Sequence, residues 1–414
     1  MLTTRTLLSY LALAALTTAS LNAGGLYLYE LSTTETSMAG AGWAARAQDP
    51  TTVVTNPGGM SRLDGTQIQL TVQPLAIDTS FSSDSGGGSE LDSVLPGGSL
   101  FITHKIDDQW SVGFSMAGFF GLGLDYDTGW EGRYYVDEIT LQSVGFQPTV
   151  SYKVNDQLSV GAGVTLIYTQ FEQKMSVNNG PLEDDGKLKL DDNTHSTQVN
   201  LGILYELNEK TRVGLQYLSE SDVDLKTKPK VKGDGATSNL LRNIGKVDLG
   251  MTLPQSVIFS AFHQISDKWA VMGNIGWQEW SEFGKVDVDV YGPPNKSITS
   301  DRGYKDTWNF ALGLQHQLNE QWRLNTGVAY DTEMVDEDDM TPDLPTSDSW
   351  RYGIGATYQR SENLDISFGY EIIWYGDLDL DVNRSPLAGP SRIATATARF
   401  NSMTAEGSTR SRTS

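Results

Sequence analysis

The chain has 414 residues, a formal net charge of −22 and no cysteine. The lack of cysteine excludes disulfides, thiolate zinc sites and cysteine nucleophiles. The acidic balance argues against a nucleic-acid partner, because phosphate binding needs a basic surface. Only 38% of the residues are apolar, yet the chain contains 10 Trp, 17 Tyr and 13 Phe. Low hydropathy with many aromatic residues does not fit disorder, but it suits strands that are apolar on one face only.

The N-terminal stretch MLTTRTLLSYLALAALTTASLNA predicts a signal peptide over residues 1–23. Arg5 precedes an apolar run that is too short to span a bilayer, and small residues follow as far as Ala23. We therefore expect an exported chain that is cleaved after Ala23. No later stretch reaches the ~18 apolar residues of a transmembrane helix.

Residues 24–65 lack regular alternation and are rich in small residues, which predicts short helices and turns. Asn56 is placed to cap a helix that begins at Pro57. Because the strands that follow this segment are predicted to form a wide barrel, which needs filling, we expect residues 24–65 to form an N-terminal helical hatch, or plug, inside the barrel lumen. The alternative is a periplasmic extension that stays outside the barrel.

Six short polar turns recur along the rest of the chain, and runs of alternating apolar and polar residues flank each of them. In YKDTWNFALGLQHQLNEQWRLNTGVAYDT, for example, Phe310 and Leu312 lie on one face and Asn309 and Gly313 on the other. Strict period two over ten or more residues is typical of a strand with one apolar face. Strands of a soluble sandwich average nearer five or six residues. The turns are predicted at 106–109, 154–157, 207–210, 265–268, 318–321 and 360–363.

Longer connections that are acidic or rich in Gly and Pro alternate with these turns. Short turns on one side and long loops on the other, with an even strand number, are typical of outer-membrane barrels. We predict an all-β fold, a 14-stranded antiparallel transmembrane β-barrel over residues 66–400, with a polar tail at 401–414. The first strand is expected near 66–77 and the last near 389–400. The long connections are expected near 78–96, 125–138, 176–192, 226–254, 290–303, 333–349 and 381–388.

Acidic residues gather in the stretches 181–193 and 331–349, which we interpret as outer loops. Such loops are either simply solvated or placed to bind divalent cations or polar lipid headgroups.

The third predicted strand, WSVGFSMAGFFGLGLDY, is rich in glycine. Glycine within a strand can mark a bulge or kink, and a kink would open the barrel wall sideways. Some apolar residues also fall on the lumen side by strand parity, where they pack against the hatch or contact a hydrophobic ligand. The kink candidates are Gly118, Gly121 and Gly123, and the lumen candidates are Phe119, Ile167, Phe171, Met272 and Ile373.

Four stretches make the chain resemble the FadL/TodX family of outer-membrane transporters for long-chain fatty acids and other hydrophobic compounds. They are TNPGGMSRL, GLGLDYDTGWEGRYY, LPQSVIFSAFHQISDKWAVMGNIGWQEWSEF and YKDTWNFALGLQHQLNEQWRLNTGVAYD. The Asn-Pro-Ala hatch motif of the family corresponds here to Asn56, Pro57 and Gly58, with glycine replacing the usual alanine.

The resemblance implies passive uptake of a long-chain fatty acid or another hydrophobic molecule. The substrate is captured among outer loops, enters an internal pocket, and leaves sideways at the kinked third strand after the hatch moves. It also implies a cation for a fatty-acid carboxylate, with Lys305 as the first candidate and Lys174 and Arg133 as further ones. Trp308 is included among the expected substrate contacts. For each cation the alternative is an ion pair with an acidic residue, and neutral or aromatic hydrocarbons are alternative substrates.

An enzyme such as an outer-membrane lipase is a rival interpretation. However, His104, His263 and His316 occupy hairpin positions that Tyr fills elsewhere, and no catalytic constellation is evident. We therefore expect no enzyme, no cofactor and no metal. A general porin is the other rival. The expected partners are the hydrophobic substrate, outer-membrane lipid and lipopolysaccharide, for a monomer in a Gram-negative outer membrane.

Overall fold

A computed structural model describes residues 24–81, 89–292, 295–336, 339–378 and 396–411. The predicted signal peptide, residues 1–23, lies outside these described residues. Twenty strands occur in the described part of the chain. They are β1 (Gly24–Tyr27), β2 (Thr66–Phe81), β3 (Ser89–Lys105), β4 (Trp110–Asp125), β5 (Glu138–Lys153), β6 (Leu158–Val177), β7 (Gly186–Asn208), β8 (Thr211–Leu218), β9 (Ser221–Thr227), β10 (Lys230–Lys232), β11 (Lys246–Leu253), β12 (Ser256–Gln264), β13 (Trp269–Gln278), β14 (Lys285–Tyr291), β15 (Lys296–Asp301), β16 (Thr307–Gln317), β17 (Trp322–Asp331), β18 (Ser349–Ser361), β19 (Leu364–Leu378) and β20 (Ala396–Ser411).

Fourteen of these strands form a closed ring of antiparallel pairs, which confirms the predicted barrel. The ring follows chain order from β2 to β8, continues through β12, β13 and β16 to β20, and closes where β20 pairs with β2. Four of the six short turns occupy the predicted residues. The other two are only 209–210 and 362–363, because an irregularity in the pairing carries the preceding strand further.

The wall is apolar outside and polar inside, as the alternating pattern predicts. In β5, the outward-facing Phe146 and Val150 are each 39% exposed, whereas Ser143 and Gln147 face inward and are buried. An outward apolar belt is the requirement of a barrel that faces lipid. Within the described residues, no helix is long and apolar enough to cross a membrane.

The long connections on the outer side are more ordered than the sequence predicts. Strands β9, β11, β14 and β15 form a second, four-stranded antiparallel sheet, so the loops predicted near 226–254 and 290–303 are partly strand. The acidic stretch 181–193 is also not wholly a loop, because β7 begins at Gly186 and pairs with β6 from there. These strands are difficult to recognise in the sequence because charged residues interrupt their short apolar patterns. In β9, Val223 and Leu225 are buried, but the charged residues beside them are exposed.

The last strand differs from the prediction. It runs over Ala396–Ser411 and pairs with β19 and β2 along its length, so most of the predicted polar tail at 401–414 is strand. Strand pairing uses backbone groups, and the long edges of β2 and β19 offer partners that do not depend on apolar side chains. Residues 379–395 and 412–414 lie outside the described part of the chain.

Residues 28–65 form the hatch, which lies inside the ring. It contains the helices α1 (Thr33–Ser37) and α2 (Thr52–Thr55) and a 3-10 helix over Pro57–Arg62. The Asn56 side chain caps the 3-10 helix by accepting a hydrogen bond from the Gly58 amide at 3.0 Å. Two further helices, α3 (Ala236–Leu241) and α4 (Trp280–Phe283), and a 3-10 helix over Glu131–Tyr134 lie in the outer loops.

Candidate functional site

Inward-facing polar side chains of the wall bind backbone groups of the hatch. The Gln147 and Asn200 side-chain amides each donate to hatch carbonyls, those of Val53 and Val54, at 2.7 Å. The side-chain oxygen Oδ1 of Asn274 accepts a hydrogen bond from the backbone amide of Gly42 at 2.8 Å. Short helices leave many backbone groups without hydrogen-bond partners, and polar side chains of the wall supply those partners. These contacts fix the hatch to several sides of the wall.

Inward-facing glycines bring parts of the hatch into direct contact with the wall backbone. A Cβ at Gly327 would overlap the Met38 carbonyl group, and one at Gly353 would overlap the Thr36 carbonyl oxygen. A side chain at either position would therefore displace α1 or the residues that follow it. The same holds elsewhere around the ring, at Gly161, Gly202, Gly214 and Gly313.

The wall has a window between β3 and β4. The pairing of these strands begins with Lys105 opposite Ser111 and ends with Ser99 opposite Ala117. Beyond Ala117, β4 does not pair with β3. At the outer end the two sides meet again, where the Asp127 amide donates to the Ser89 hydroxyl at 2.9 Å. The window is therefore bounded at both ends and lies in the outer half of the barrel.

Two prolines explain why β3 leaves β4. Pro96 lies opposite Pro74 in the β2–β3 ladder. Because neither residue has an N–H, the two cannot exchange the bonds of a hydrogen-bonded pair, so their nitrogens face away from each other. Pro96 then presents its nitrogen to the window, where a strand edge without a donor is tolerated. On the other side, pairing between β2 and β20 skips Gln73 and Pro74.

A β-bulge in β4 borders this window. Gly118 lies opposite Val144 but Gly121 lies opposite Gln142, so β4 contains one extra residue. As a result, Phe119 and Phe120 are both buried, at 3% and 2% exposure, although they are consecutive in a strand. This places the bulge among the glycines that the sequence indicated, since Gly118 and Gly121 flank it and Gly123 follows.

The N-terminal strand β1 fills the window from the β4 side. Gly25 pairs with Gly121 and Tyr27 with Phe120. The Leu28 amide then donates to the Phe119 carbonyl oxygen at 3.1 Å. Alternation could not predict this strand, because four residues are too few for a pattern.

A cluster of buried apolar side chains extends from the outer loops past the window to the hatch. At its outer end, the rings of Tyr126 and Trp130 stack at 4.0 Å, and Phe81 meets both edge-on. The cluster takes in the wall residues beside the window, Trp43 of the hatch and outer-loop residues. Its other members include Leu124, Val136, Ile139, Leu141, Trp280, Phe283, Met334 and Leu344.

Four of the five apolar lumen candidates lie in this cluster: Phe119, Ile167, Phe171 and Ile373. Met272 also faces inward, but it packs against Met38 and alanines of the hatch in a separate cluster. The inclusion of Trp308 is wrong, because its side chain faces outward and is 46% exposed. Strand parity explains this, since Trp308 lies on the same face as Phe310 and Leu312.

Each of the three candidate cations contacts at least one carboxylate, and no two of them share one. Lys305 is exposed and contacts Asp336 and Glu333. Lys174 contacts Glu138, and Glu172 at 3.1 Å. Arg133 lies 2.9 Å from Asp185, within the outer loops. For each of the three cations, an ion pair with an acidic residue is the alternative to binding a substrate carboxylate, and that ion pair is present.

The described residues of the acidic loops show no arrangement typical of a cation site. Across the described ranges of the chain, no group of three or more His, Cys, Asp or Glu residues could hold a metal ion.

Comparison with known proteins agrees with this geometry. Residues 14–406 match the family model described as outer membrane protein transport protein (OMPP1/FadL/TodX). The chain belongs to this family. Outer membrane protein P1 of Haemophilus influenzae is 27% identical over 397 residues, covering 84% of this chain and 85% of that protein. The long-chain fatty acid transport protein of Escherichia coli (strain K12) is 23% identical over 399 residues, covering 86% and 89%.

Solved structures show the same fold. A Pseudomonas aeruginosa FadL homologue has a TM-score of 0.84 at 21% identity, over 93% of this chain and 99% of that one. The Pseudomonas putida toluene transporter TodX has a TM-score of 0.73 at 15% identity, over 94% and 100%. Together with the family match, these findings identify an outer-membrane β-barrel of a transport family, not an enzyme.

Proposed function

We propose that this protein takes up hydrophobic small molecules and releases them sideways into the outer membrane through the window between β3 and β4. The observation that carries the proposal is the change of partner along β4, from β3 in its inner half to β1 in its outer half. Displacing β1 alone would join the buried apolar cluster to the lipid phase. The hatch could keep its other contacts with the wall during this step.

A long-chain fatty acid is the first candidate substrate, and relatives of this chain bear the name long-chain fatty acid transport protein. Its acyl chain gains about 0.8 kcal/mol per buried CH₂ on entering the membrane, so passive release is favourable. Lys305 is the candidate partner for the carboxylate. Its ion pair with Asp336 is exposed, and exposed pairs contribute little, so a substrate carboxylate can compete for it.

A neutral aromatic hydrocarbon is the second candidate. All three candidate cations already contact carboxylates, and a solved structure with this fold is a toluene transporter. Uptake of such a molecule would need the apolar cluster and the window but no cation. We further propose that the protein acts as a monomer, with its outer belt in membrane lipid and its outer loops among lipopolysaccharide.

The test is to lock β1 in the window. Because the chain has no cysteine, Gly25→Cys with Gly121→Cys would introduce one disulfide between directly paired residues, which lie within bonding range. Uptake of labelled long-chain fatty acid and of toluene is measured in cells that lack their own transporter. We expect uptake to be lost on oxidation and restored by reductant.

A matched control places a disulfide in the sealed half of the same barrel region, through Lys105→Cys with Ser111→Cys. These residues pair between β3 and β4, and uptake should persist there after oxidation. Undiminished uptake with β1 locked would show that the substrate leaves by another route. A large ion conductance without uptake of either compound would indicate a porin.

A further inference from the structure

One arginine in the lumen is surrounded by three carboxylates from three different elements. Arg351 of β18 places Nε 2.9 Å from Asp331 Oδ2 of β17. Its Nη1 lies 3.6 Å from Glu30 Oε1 of the hatch and 4.0 Å from Glu371 Oε1 of β19. Arg351, Glu30 and Glu371 are no more than 3% exposed. The contacts therefore form away from bulk water.

Among the side chains that the structure describes, no second cation lies in contact with this cluster. The Tyr29 ring of the hatch lies 4.2 Å from the guanidinium, and Tyr375 of β19 also faces the cluster. On the β17 side, Asn309 donates to Asp331 Oδ1 at 2.8 Å. One positive charge thus faces three carboxyl groups, and burying unpaired charge is costly.

A shared proton would resolve this imbalance. The Oε1 atoms of Glu30 and Glu371 approach the same Nη1 of Arg351, and no donor group of the described residues bonds to either Glu371 oxygen. Two such carboxyl groups can hydrogen-bond to each other only with a proton between them. Burial raises the pKa of Glu30, and the charge of Arg351 only partly offsets this, so the pKa stays above its usual value.

We propose that Arg351 is a positioning residue that, together with a proton shared by Glu30 and Glu371, holds β1 in the window. The inference rests on the proposed lateral exit. Glu30 follows Leu28 by two residues, and Leu28 is bonded to β4. Two residues span only ~7 Å, so releasing Glu30 from the wall removes the anchor next to β1.

The direction of the pH dependence follows from the raised pKa. When β1 is held in the window, the proton is bound more tightly than when Glu30 is free in water. The contact is therefore strongest at low pH and weakens as the pH rises through the raised pKa of Glu30. Above it, Glu30 and Glu371 repel each other, and β1 leaves the window more often.

Cysteine labelling tests this without any transport. Leu28→Cys provides a single thiol in a chain that has none. Its rate of reaction with a maleimide, corrected for thiolate content with a free-thiol standard, is measured from about pH 5 to about pH 9, which brackets a raised glutamate pKa. We expect the corrected rate to rise with pH. Adding Glu371→Gln should keep it low at every pH, because the amide keeps a donor without a charge.

The charge of Arg351 is tested in the same background. Arg351→Met should raise the corrected labelling rate at all pH values by about tenfold, equivalent to ~1.4 kcal/mol, and Arg351→Lys should restore part of the protection. The control thiol, Ser61→Cys, lies at the other end of the hatch, where Ser61 meets Ser159 at 2.7 Å. Its labelling should respond to none of these changes.

A flat pH profile in the parent, or an unchanged profile with Glu371→Gln, would overturn the proposal. If Arg351→Met fails to fold, Glu371→Gln still decides, because it keeps the shape of the side chain. Since labelling does not depend on uptake, a labelling result that contradicts the proposal would leave the disulfide test of the window intact. Conversely, uptake with β1 locked would reject the exit route without altering the labelling result.

Discussion

Residues 24–65 contact the barrel wall in two contrasting ways. Along β17 and β18, the hatch backbone lies directly on inward-facing glycines, so close that a methyl group would not fit. At the window, β1 is held to β4 by a short ladder of backbone bonds. The first contact resists movement through steric exclusion, and the second can be broken by removing a few hydrogen bonds. On the proposed lateral route, transport would need the release of a short strand and not the expulsion of the hatch.

The largest effect on stability is expected at Gly327, where the hatch backbone leaves no room for a methyl group. Gly327→Ala would push its Cβ into the Met38 carbonyl group. Overpacking of this kind typically costs about 1–3 kcal/mol, so the thermal unfolding midpoint in detergent should fall clearly.

Gly118→Ala is the matched control from the window side. Its Cβ would meet only the Ser143 carbonyl oxygen at 3.6 Å and Leu28 at 3.9 Å, and ordinary contacts usually change stability by less than about 0.5 kcal/mol. Equal unfolding midpoints for the two variants would mean that the hatch is not clamped at Gly327.

The second prediction concerns the window itself. Pro96→Val restores a backbone N–H on the edge of β3 that faces β4, so the two strands can pair further and narrow the opening. We expect uptake of a long-chain fatty acid to fall several-fold, with the folded barrel at least as stable as before.

Pro74→Val makes the same chemical change on the opposite edge, next to β20. That side of the wall has no proposed exit, so uptake should not change. A similar loss of uptake in both variants would contradict a specific role for the window.

The barrel could be predicted from the sequence because its signals are local. Turn residues and period-two alternation at Phe310 and Leu312 report each hairpin independently of the rest of the fold. The bulge beside Gly118 was indicated in the same way. By contrast, the polar end of β20 has no such pattern, and its pairing is set by the edges of β2 and β19.

The window could not be predicted from the alternation of apolar and polar residues. Pro96-Gly97-Gly98 was the available signal, because a proline within a strand marks an edge without a partner, but its meaning depends on Pro74 lying opposite. The cluster around Arg351 likewise joins residues that are distant in sequence. Glu371 shares the strand parity of the lumen candidate Ile373, yet only the three-dimensional structure brings it to Glu30.

The third prediction tests whether the outer loops are fixed independently of the window. Arg302 Nη1 lies 2.9 Å from Asp343 Oδ2 and links two outer loops. Burial raises the pKa of Asp343, but the charge of Arg302 and hydrogen bonds bring it below its usual value. Asp343→Asn should speed hydrogen exchange of residues 339–348 by about tenfold, the scale of one charged hydrogen bond.

The sign of the pH effect follows from the lowered pKa. The link contributes fully above the pKa of a free aspartate, ~3.9, and is lost as the pH falls through the lower value in the folded protein. The parent should therefore approach the variant only in strong acid. Asp336→Asn, in the same loop but in an exposed pair, should have a much smaller effect, and equal effects would show that burial does not matter here.

The smallest effect is expected at Lys305, the candidate partner of the substrate carboxylate. Its ion pairs are exposed, so Lys305→Ala should leave folding unchanged and raise the fatty-acid concentration for half-maximal uptake by only about two- to fivefold. Toluene uptake should not respond, because a neutral molecule has no carboxylate to bind. Lys285→Ala removes an equally exposed lysine that contacts Glu282 and controls for a general change in outer charge. If both lysine variants weaken fatty-acid uptake equally, Lys305 acts through the surface field and the apolar cluster alone selects the substrate.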